Sequence, residues 1–374
     1  MYPDFTQFKQ LAKSNNLIPV YKEMLADTET PVSAFLKITD GVKEKYAYLL
    51  ESVERGEKLG RYSFLASQPS IIFESNGNKV RIRNMLTGEQ NTIESSDPLI
   101  ELKRLLSRYQ PVSLPGLPRF WGGAVGYISY DYVRFIEKLP KLKPDDLSLV
   151  DCLFLFTDNL VIFDHISQTV KVLACVFLDS GNIKRKYEEA CNKIENLVTK
   201  LNRPLPKVSS LRVGGKQSSN FSCNFAKRDF IQAVKIAKRY ICEGEIIQVV
   251  LSQRFEKGIT THPFSIYRQL RTVNPSPYMF FLNLDRVSLV GSSPEILVRK
   301  EGKISEVRPI AGTRPRGDNE NKDKQLEKNL LESPKERAEH IMLVDLGRND
   351  LGRVCEYDTI KIPELMVTEK YSHV

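Results

Sequence analysis

The stretch from Val290 to Gly317 reads V-G-S-S-P-E-I-L-V-R-K-E-G-K-I-S-E-V-R-P-I-A-G-T-R-P-R-G. Its two strand-like segments, separated by Glu301-Gly302, predict a β-hairpin and therefore an antiparallel sheet. Glu295 enters the hairpin, and Gly312-Thr313 leaves it as a backbone corner flanked by three arginines, Arg308, Arg314 and Arg316. An acid beside a backbone corner surrounded by cations suits a small polyanion, so the stretch indicates an enzyme site.

A second acidic pattern lies on the next predicted helix. Ser333, Pro334 and Glu336 occupy the positions of a capping box, so a helix is predicted to begin here. Glu336 and Glu339 are three residues apart, which places both carboxylates on one helix face, where they could hold one Mg²⁺ ion. Two other interpretations stay open. Either Glu336 only caps its helix, leaving Glu339 as the better ligand candidate, or the pair is an ordinary solvated face.

The composition excludes several classes of protein. No apolar run in the 374 residues approaches the roughly 20 residues that a transmembrane helix needs. The six cysteines have neither paired spacing nor a histidine cluster, which favours reduced thiols over disulfides or zinc. The net charge of +9 comes from basic residues interspersed with 46 acids, without a nucleic-acid recognition motif. We expect a soluble intracellular protein, cytoplasmic or in the plastid stroma if organelle-encoded, that binds neither nucleic acid nor membrane.

The chain is predicted to divide near residue 202, and its fold class is α+β, with helices packed on antiparallel sheets. Residues 203–222 are rich in Pro, Ser, Gly and Lys, which is typical of an exposed linker between residues 1–202 and residues 223–374. Two helices are predicted before the linker, Pro98–Tyr109 and Gly181–Leu201. The strands predicted there are Tyr46–Val53, Tyr62–Ala66, Ser70–Glu74, Lys79–Asn84, Leu153–Asp164 and Thr169–Leu178.

The region after the linker begins with a predicted helix, Ala226–Glu243. In the next predicted strand, Ile246–Phe255, strict alternation places Gln248 on the same face as Val250. Gln248 is either a core glutamine bonded to neighbouring backbone or a residue that faces a reaction centre. A meander is then predicted from the strands Tyr278–Leu284, Val287–Val290, Ile296–Lys300 and Lys303–Arg308.

Glu295 and the Gly312-Thr313 corner each allow two interpretations. Glu295 follows Pro294 at the mouth of a strand, where a partly desolvated carboxyl would keep its proton for a leaving group. The alternative is a solvated acid at a strand end. Gly312-Thr313 offers a backbone N–H and a hydroxyl to a carboxylate, or is only a turn between a strand and a helix. Sequence motifs for nucleotide loops and for serine or cysteine nucleophiles do not occur.

Seven groups of longer segments occur in one order along the chain. They are L-L-E-S with G-R-Y-S-F (49–52 and 60–64), G-G-A-V-G-Y (122–127), E-G-E-I-I-Q-V-V-L-S-Q-R (243–254), N-P-S-P-Y-M-F-F (274–281), G-S-S-P-E (291–295), P-I-A-G-T-R-P-R-G (309–317) and S-P-K-E-R-A-E-H-I-M-L-V-D-L-G-R-N-D-L-G-R-V (333–354). Together they resemble the chorismate-utilising enzymes, and most closely the anthranilate synthase component I group. The resemblance runs from about Leu49 to the last residue, and it implies the fold of that family.

The resemblance implies a role for each candidate residue. Glu295 matches the general acid that protonates the departing C4 hydroxyl of chorismate. Gly312 and Thr313 match the backbone and hydroxyl contacts to chorismate. Glu339 matches the direct ligand of Mg²⁺, which Glu336 helps to hold.

Two positions select among relatives within the family. Gln248 stands where enzymes that add water to chorismate have a lysine base, and glutamine cannot deprotonate water, which points to ammonia as the nucleophile. Ala311 stands where aminodeoxychorismate synthases commonly have a lysine that forms a covalent intermediate. The implied reaction converts chorismate and ammonia into anthranilate and pyruvate, a lyase reaction that begins tryptophan biosynthesis. The alternatives are aminodeoxychorismate synthase component I and a non-catalytic tryptophan-binding subunit.

The resemblance also implies partners and regulation. A separate glutamine amidotransferase subunit would supply ammonia, in a heterotetramer of two large and two small subunits. Tryptophan would act as a feedback inhibitor in a pocket matched by Ser52, Pro277, Tyr278 and Met279, although ordinary strand core is the alternative for Tyr278. Residues 1–202 would then be regulatory and residues 223–374 a partial chorismate-binding catalytic domain. Members of the family continue beyond the Y-S-H-V-like segment, so the C-terminal part is expected to be missing.

Overall fold

The elements of the fold are those of a computed structural model that describes residues 1–52, 60–140, 144–179, 181–206, 221–371 and 373–374. Within these ranges the strands are β1 (Leu17–Leu25), β2 (Tyr46–Glu51), β3 (Tyr62–Ser67), β4 (Ile71–Asn76), β5 (Lys79–Asn84), β6 (Gln90–Glu94), β7 (Gly123–Ile128), β8 (Cys152–Thr157), β9 (Asn159–Asp164), β10 (Thr169–Phe177), β11 (Ser222–Cys223), β12 (Phe255–Glu256), β13 (Tyr278–Leu284), β14 (Val287–Ser293), β15 (Arg299–Glu301) and β16 (Ile304–Glu306). The α-helices are α1 (Phe5–Leu11), α2 (Pro31–Ile38), α3 (Pro98–Leu106), α4 (Ile183–Leu201), α5 (Lys227–Cys242), α6 (Pro263–Val273), α7 (Glu320–Glu332) and α8 (Pro334–Gly352).

The chain divides into two units, one formed by Met1–Lys207 with Tyr267–Val374 and one by Val208–Ile266. The larger unit therefore contains residues from both sides of the predicted linker, most of which lies outside the described residues. The predicted domain ranges stay a prediction.

Two antiparallel sheets organise the larger unit. One has seven strands in the order β1-β10-β9-β3-β2-β13-β14, and the other has five in the order β6-β5-β4-β8-β7. Strand β13 pairs with β2 as well as β14, so it joins a late segment of the chain to the early sheet. The α+β class with antiparallel sheets is confirmed.

The core of the larger unit follows from the alternation of side chains along its strands. Successive residues of a strand point to opposite faces, as Phe281 and Leu282 of β13 illustrate. Leu282 belongs to the buried cluster that also contains Ile72 and Leu155 of the other sheet. Phe281 packs edge-to-face on Phe35 of α2, with ring centroids 5.7 Å apart. Helices thus cover one face of the seven-stranded sheet, and the five-stranded sheet covers the other.

Helix α3 covers the five-stranded sheet. Asp97 caps its N-terminus and Pro98 occupies the first turn, which are favourable residues at these positions. Its Leu102 and Leu105 pack in one buried cluster with Phe73 of β4. Leu102 and Leu105 therefore form the core-facing side of this helix.

The predicted strand Leu153–Asp164 is wrong, because it is two strands in different sheets. The chain leaves the five-stranded sheet at Thr157 and enters the seven-stranded sheet at Asn159. Asp158 fixes the crossing. Its carbonyl accepts from the Cys175 amide at 2.6 Å, and its carboxylate accepts from Lys193 of α4 at 2.7 Å. The polar triplet Thr157-Asp158-Asn159 interrupts the apolar run at this point and was the available signal for two separate strands.

The predicted strand Ile246–Phe255 in the smaller unit is also wrong. Only Phe255–Glu256 pairs, with Ser222–Cys223, and the segment around Gln248 is irregular and exposed. Alternation produces a strand only where a neighbouring strand completes the ladder of hydrogen bonds. Among the described residues of this unit, only β11 provides such a neighbour.

The last part of the larger unit consists of short strands and two helices. The predicted strands Ile296–Lys300 and Lys303–Arg308 are present as β15 and β16, each reduced to three residues. Helices α7 and α8 follow, and α8 begins at Pro334 as predicted. All six cysteines are free thiols. No helix in the described ranges has the length and apolar character that crossing a bilayer requires.

Candidate functional site

A cleft with a volume of about 1030 Å³ lies in the last hundred residues of the larger unit. Its walls come from Pro294, strand β16, the loop 307–316, helices α7 and α8, and residues within 359–371 together with His373 and Val374. Gly312, Thr313, Glu336 and His340 line it. The corner predicted from the sequence therefore opens into the cleft.

Gly312 lets the corner approach the side chains of Glu336 and Leu330 closely. A Cβ at this position would lie 2.3 Å from Oε2 of Glu336 and 2.9 Å from Cδ1 of Leu330. Both distances are far below an ordinary van der Waals contact. The glycine thus allows the corner to press against a carboxylate on α8.

Arg314 connects the corner to both helices. Its Nη1 donates to the Thr313 carbonyl at 2.9 Å and to Oε1 of Glu336 at 3.1 Å. Its Nε donates to the side-chain oxygen of Asn329 on α7 at 3.0 Å. The guanidinium is therefore a three-way link between the corner, α7 and α8.

The other two arginines of the predicted cationic rim are also paired with acids. Arg308 pairs with Glu369, and Arg316 donates from Nη2 to Asp323 at 2.6 Å. Hydrogen bonds from Arg316 and from the Gly317 amide lower the pKa of Asp323 to about 2. The sequence predicted three cations available to a polyanion, and the structure instead balances each with a carboxylate.

Glu295 lies just beyond the end of β14. Its amide donates to Oγ of Ser293 at 3.3 Å, while the same hydroxyl donates to the Glu295 carbonyl at 3.2 Å. The side chain is exposed, so the expected partial desolvation is not found. Strand β14 ends two residues earlier, and the residues that line the cleft include Pro294 but not Glu295. Its role as general acid stays a prediction.

The acidic pair on α8 divides into two different environments. Ser333 caps the helix and accepts from the Glu336 amide at 3.5 Å. The reciprocal half of the predicted capping box is not made, because the Ser333 amide donates to Leu330 and the Glu336 carboxylate pairs with Arg314. Glu339 is half-buried and makes no side-chain hydrogen bond or ion pair with the described residues.

Glu336 and Glu339 carry the type of ligand that Mg²⁺ prefers, but only Glu336 is among the residues that line the cleft, and magnesium binding stays a prediction. Mg²⁺ is commonly held by one or two carboxylates, with water and substrate oxygens completing the shell. Among the described residues no group of three or more His, Cys, Asp or Glu is arranged to hold a metal, so a complete protein cage does not form there. Of the pair, Glu339 has the carboxylate that a metal could use without competition from Arg314.

The residues matched to a tryptophan pocket meet at neighbouring strands. Met279 of β13 pairs in register with Glu51 of β2, and Ser52 follows directly. Pro277 and Met279 are buried, and Tyr278 is half-buried. The Ser52 hydroxyl oxygen is buried and has no hydrogen-bond partner among the described residues. A buried hydroxyl without a partner is unfavourable, so a ligand that bonds to it would stabilise this arrangement.

A buried ionic network beside these strands was not found from the sequence. The Glu51 side chain is 2% exposed, and its Oε2 lies 2.8 Å from Nε of Arg271. The Tyr267 hydroxyl donates to the same carboxylate at 2.6 Å. Burial and the adjacent Glu51 carboxylate raise the pKa of Tyr267. An acid at the end of the apolar strand Y-A-Y-L-L-E was the available signal, because a buried carboxylate requires partners.

Gln248 lies in the smaller unit, with an exposed side chain outside any strand. The structure therefore does not show it as part of an apolar face. Thr313 is exposed at the corner. The roles of both residues stay predictions.

The chorismate binding enzyme family matches residues 47–374, and the chain belongs to this family. Relatives define the group within it. The chain is 44% identical to anthranilate synthase component 1 of Aquifex aeolicus over 369 residues, which are 98% of this chain and 74% of that protein. It is 43% identical to the protein of the same name from Acetivibrio thermocellus over 377 residues, or 100% of this chain and 75% of that one.

Solved structures agree with this assignment. The crystal structure of anthranilate synthase component I from Streptococcus pneumoniae matches with a TM-score of 0.73 and 30% identity, covering 86% of this chain and 68% of that one. The isochorismate synthase MenF of Escherichia coli has a TM-score of 0.59 at 14% identity, covering 93% of this chain and 68% of that one. At that identity the second likeness shows the fold alone.

Proposed function

We propose that this chain acts as the large component of anthranilate synthase, which converts chorismate and ammonia into anthranilate and pyruvate. The observation that carries the proposal is identity of 44% and 43%, over 98% and 100% of the chain, to two proteins of that name. The cleft supports it, since the Gly312-Thr313 corner, which family resemblance assigns to chorismate contacts, lies on its wall.

In the proposed reaction the corner binds the substrate and Glu295 donates a proton. The amides and the Thr313 hydroxyl at the corner would bind a carboxylate of chorismate and fix its orientation. Ammonia would then add at C2 while the C4 hydroxyl leaves as water, with its proton supplied by Glu295. Loss of pyruvate and aromatisation of the ring complete the reaction. The exposure of Glu295 implies that bound substrate, rather than the protein alone, excludes water from the acid.

Magnesium is the proposed cofactor, with Glu339 as its direct protein ligand and Glu336 as the second acid of the site. A bound Mg²⁺ would neutralise charge on the ring carboxylate. The protein's own contribution is to place a half-buried carboxylate on a rigid helix one turn beyond Glu336. The pairing of Glu336 with Arg314 makes that residue the weaker ligand.

Ammonia is proposed to come from a glutamine amidotransferase subunit, in a heterotetramer of two large and two small subunits. Gln248, which cannot deprotonate water, supports ammonia rather than water as the nucleophile. The proposed location is the cytoplasm, or the plastid stroma if the gene is organelle-encoded.

Tryptophan is proposed as a feedback inhibitor that binds beside Ser52, Pro277, Tyr278 and Met279. The buried Ser52 hydroxyl without a partner supports a polar ligand at this place. Strands β13 and β14 form one hairpin, and β14 leads directly to Glu295. Binding at β13 could thus alter the strand that leads to the proposed acid, which is the kind of coupling that allostery requires.

A direct assay tests the proposal. The full chain is mixed with chorismate, ammonia and Mg²⁺, and anthranilate is followed by its fluorescence, with and without tryptophan. Anthranilate is expected to form, and tryptophan is expected to lower the rate. Glu295→Gln is expected to abolish turnover while leaving chorismate binding, measured by calorimetry, largely unchanged.

Glu332→Gln is the matched control, since Glu332 is an exposed acid on α7 outside the cleft. It is expected to behave as the unmodified chain does. Accumulation of aminodeoxychorismate without anthranilate would reject the proposed product. Near-normal turnover of Glu295→Gln would remove that residue from the mechanism, and tryptophan binding without chorismate binding would favour a non-catalytic sensor.

A further inference from the structure

Arg314 makes hydrogen bonds to three partners, which is more than a single ion pair requires. Its exposed fraction is 25%, and its donors are directed to a backbone carbonyl, an amide oxygen and a carboxylate on three different elements. A planar guanidinium with fixed donors suits such a link, whereas a lysine ammonium cannot reproduce it. Arg314 therefore holds the corner between α7 and α8.

Glu336 completes this arrangement from the opposite side. Its side chain is 19% exposed, its Oε1 accepts from Arg314, and its Oε2 lies 2.3 Å from the position that a Cβ on residue 312 would take. The Glu336 carboxylate therefore packs against Gly312 with one oxygen and accepts a hydrogen bond from Arg314 with the other. The N-cap of α8 is made by the Ser333 hydroxyl, so capping does not account for the Glu336 side chain.

We propose that Arg314 and Glu336 are positioning residues that hold the Gly312-Thr313 corner in the shape that receives the substrate carboxylate. The inference rests on the proposed function, because the substrate is the chorismate of that reaction. It adds a second task to one acid of α8: Glu336 shapes the corner through Arg314, while Glu339 is the direct ligand of the metal. Neither positioning residue needs to touch the reacting atoms.

The test measures chorismate binding to the full chain by calorimetry with EDTA present, so that magnesium does not contribute. Arg314→Gln and Glu336→Gln are each expected to weaken binding about tenfold, the usual size of a lost charged hydrogen bond. The double variant is expected to bind no more weakly than either single one, because both changes break the same contact. Arg314→Lys is expected to restore binding only in part.

Magnesium titrations in the absence of chorismate separate positioning from ligation. Glu336→Gln is expected to weaken Mg²⁺ binding less than Glu339→Gln does, because Glu339 is the proposed direct ligand. The opposite pattern, with Mg²⁺ binding lost and metal-free chorismate binding retained, would show that Glu336 serves only the metal and would overturn the inference.

Hydrogen exchange of the peptide 309–317 supplies a measure that needs no ligand. Its amides are expected to exchange faster in Arg314→Gln and in Glu336→Gln, and at the unmodified rate in Arg185→Gln, which removes an exposed ion pair on α4. Unchanged exchange at the corner would overturn the inference. If the unmodified chain binds no chorismate, the proposed function fails, and the exchange result still decides whether the two residues hold the corner.

Discussion

The two-sheet sandwich, made by residues 1–206 with strands β13 and β14, and the cleft region of residues 294–374 belong to one unit but are held together differently. The sandwich has completely buried side chains in both sheets, among them Phe73 and Leu49. In the cleft region no described residue is fully buried, and apolar side chains such as Leu297 are exposed. Its contacts include ion pairs and helix caps, such as those of Arg314 and Ser333.

The difference shows what each region is for. Apolar burial is strong and non-directional, so it builds a scaffold that tolerates little change. Ion pairs at half-exposed positions contribute little stability but fix direction, which is what a ligand site needs. The sandwich is expected to set the stability of the unit, and the cleft region its chemistry.

The largest effect is expected from removing a core aromatic ring. Phe73→Ala deletes a completely buried ring that packs with Leu102 and Leu105 of α3. Loss of transfer free energy and the cavity left behind should lower the free energy of unfolding by about 3–5 kcal/mol. Urea denaturation followed by circular dichroism measures the change.

Leu297→Ala in the cleft region is the control for Phe73→Ala, because this leucine is 91% exposed. It should change the free energy of unfolding by no more than about 0.5 kcal/mol. Similar losses from the two substitutions would show that the cleft region is packed as tightly as the sandwich, which contradicts the comparison.

A smaller loss is expected from breaking the buried ion pair beside β2. Arg271→Ala leaves the Glu51 carboxylate, 2% exposed, with the Tyr267 hydroxyl as its remaining partner. An uncompensated buried charge should lower the free energy of unfolding by about 3 kcal/mol, measured in the same urea experiment. Adding Glu51→Gln should recover part of the loss, since it removes the charge.

Arg348→Ala provides the matched case in the cleft region. Arg348 pairs with Asp345 along α8, with side chains 56% and 62% exposed, so its loss should be below about 1 kcal/mol. An equal cost for the two arginines would mean that burial does not distinguish the ion pairs of the two regions.

The same contrast explains what the sequence predicted. In the sandwich, the predicted strands were found from alternation and the helix at Pro98 from its leucine spacing, because each strand has neighbours that complete its ladder. The change of sheet at Asp158 was missed, and β1, β6, β7, α1 and α2 were not predicted. In the smaller unit, the alternation around Gln248 did not produce a strand, since pairing depends on partners that a local pattern cannot supply.

The candidate site was predicted by residue type but not by pairing. Glu336, Gly312 and Arg314 were recognised from the sequence and do meet at the cleft. The sequence did not predict that an acid balances each arginine of the rim. Asp323, the partner of Arg316, lies on helix α7, and Glu369, the partner of Arg308, lies far along the chain from it. Sequence spacing identifies groups that share a face, whereas contacts between elements depend on tertiary packing.

The smallest effect on stability is expected from the titration of Asp323. Asp323 pairs with an arginine in the cleft region, as Asp164 does in the sandwich, so the two pairs can be compared. The Arg316 guanidinium and the Gly317 amide lower the pKa of Asp323 from the ordinary value of 3.8 to about 2. In the sandwich, burial acts to raise the pKa of Asp164, but hydrogen bonds from Arg61 and from the backbone of Ser167 and Ile166 outweigh it, so the pKa is lowered. Because the pKa of Asp323 in the folded state lies below its pKa in the unfolded state, its contribution to stability is complete above about pH 4 and is lost as the pH falls towards 2.

Carboxyl-carbon NMR titration measures this difference. In Arg316→Gln the pKa of Asp323 should return towards its ordinary value, while the pKa of Asp164 stays low. Arg61→Gln should do the reverse, and an Asp323 titration that ignores the loss of Arg316 would mean that the pair at the cleft does not form in solution.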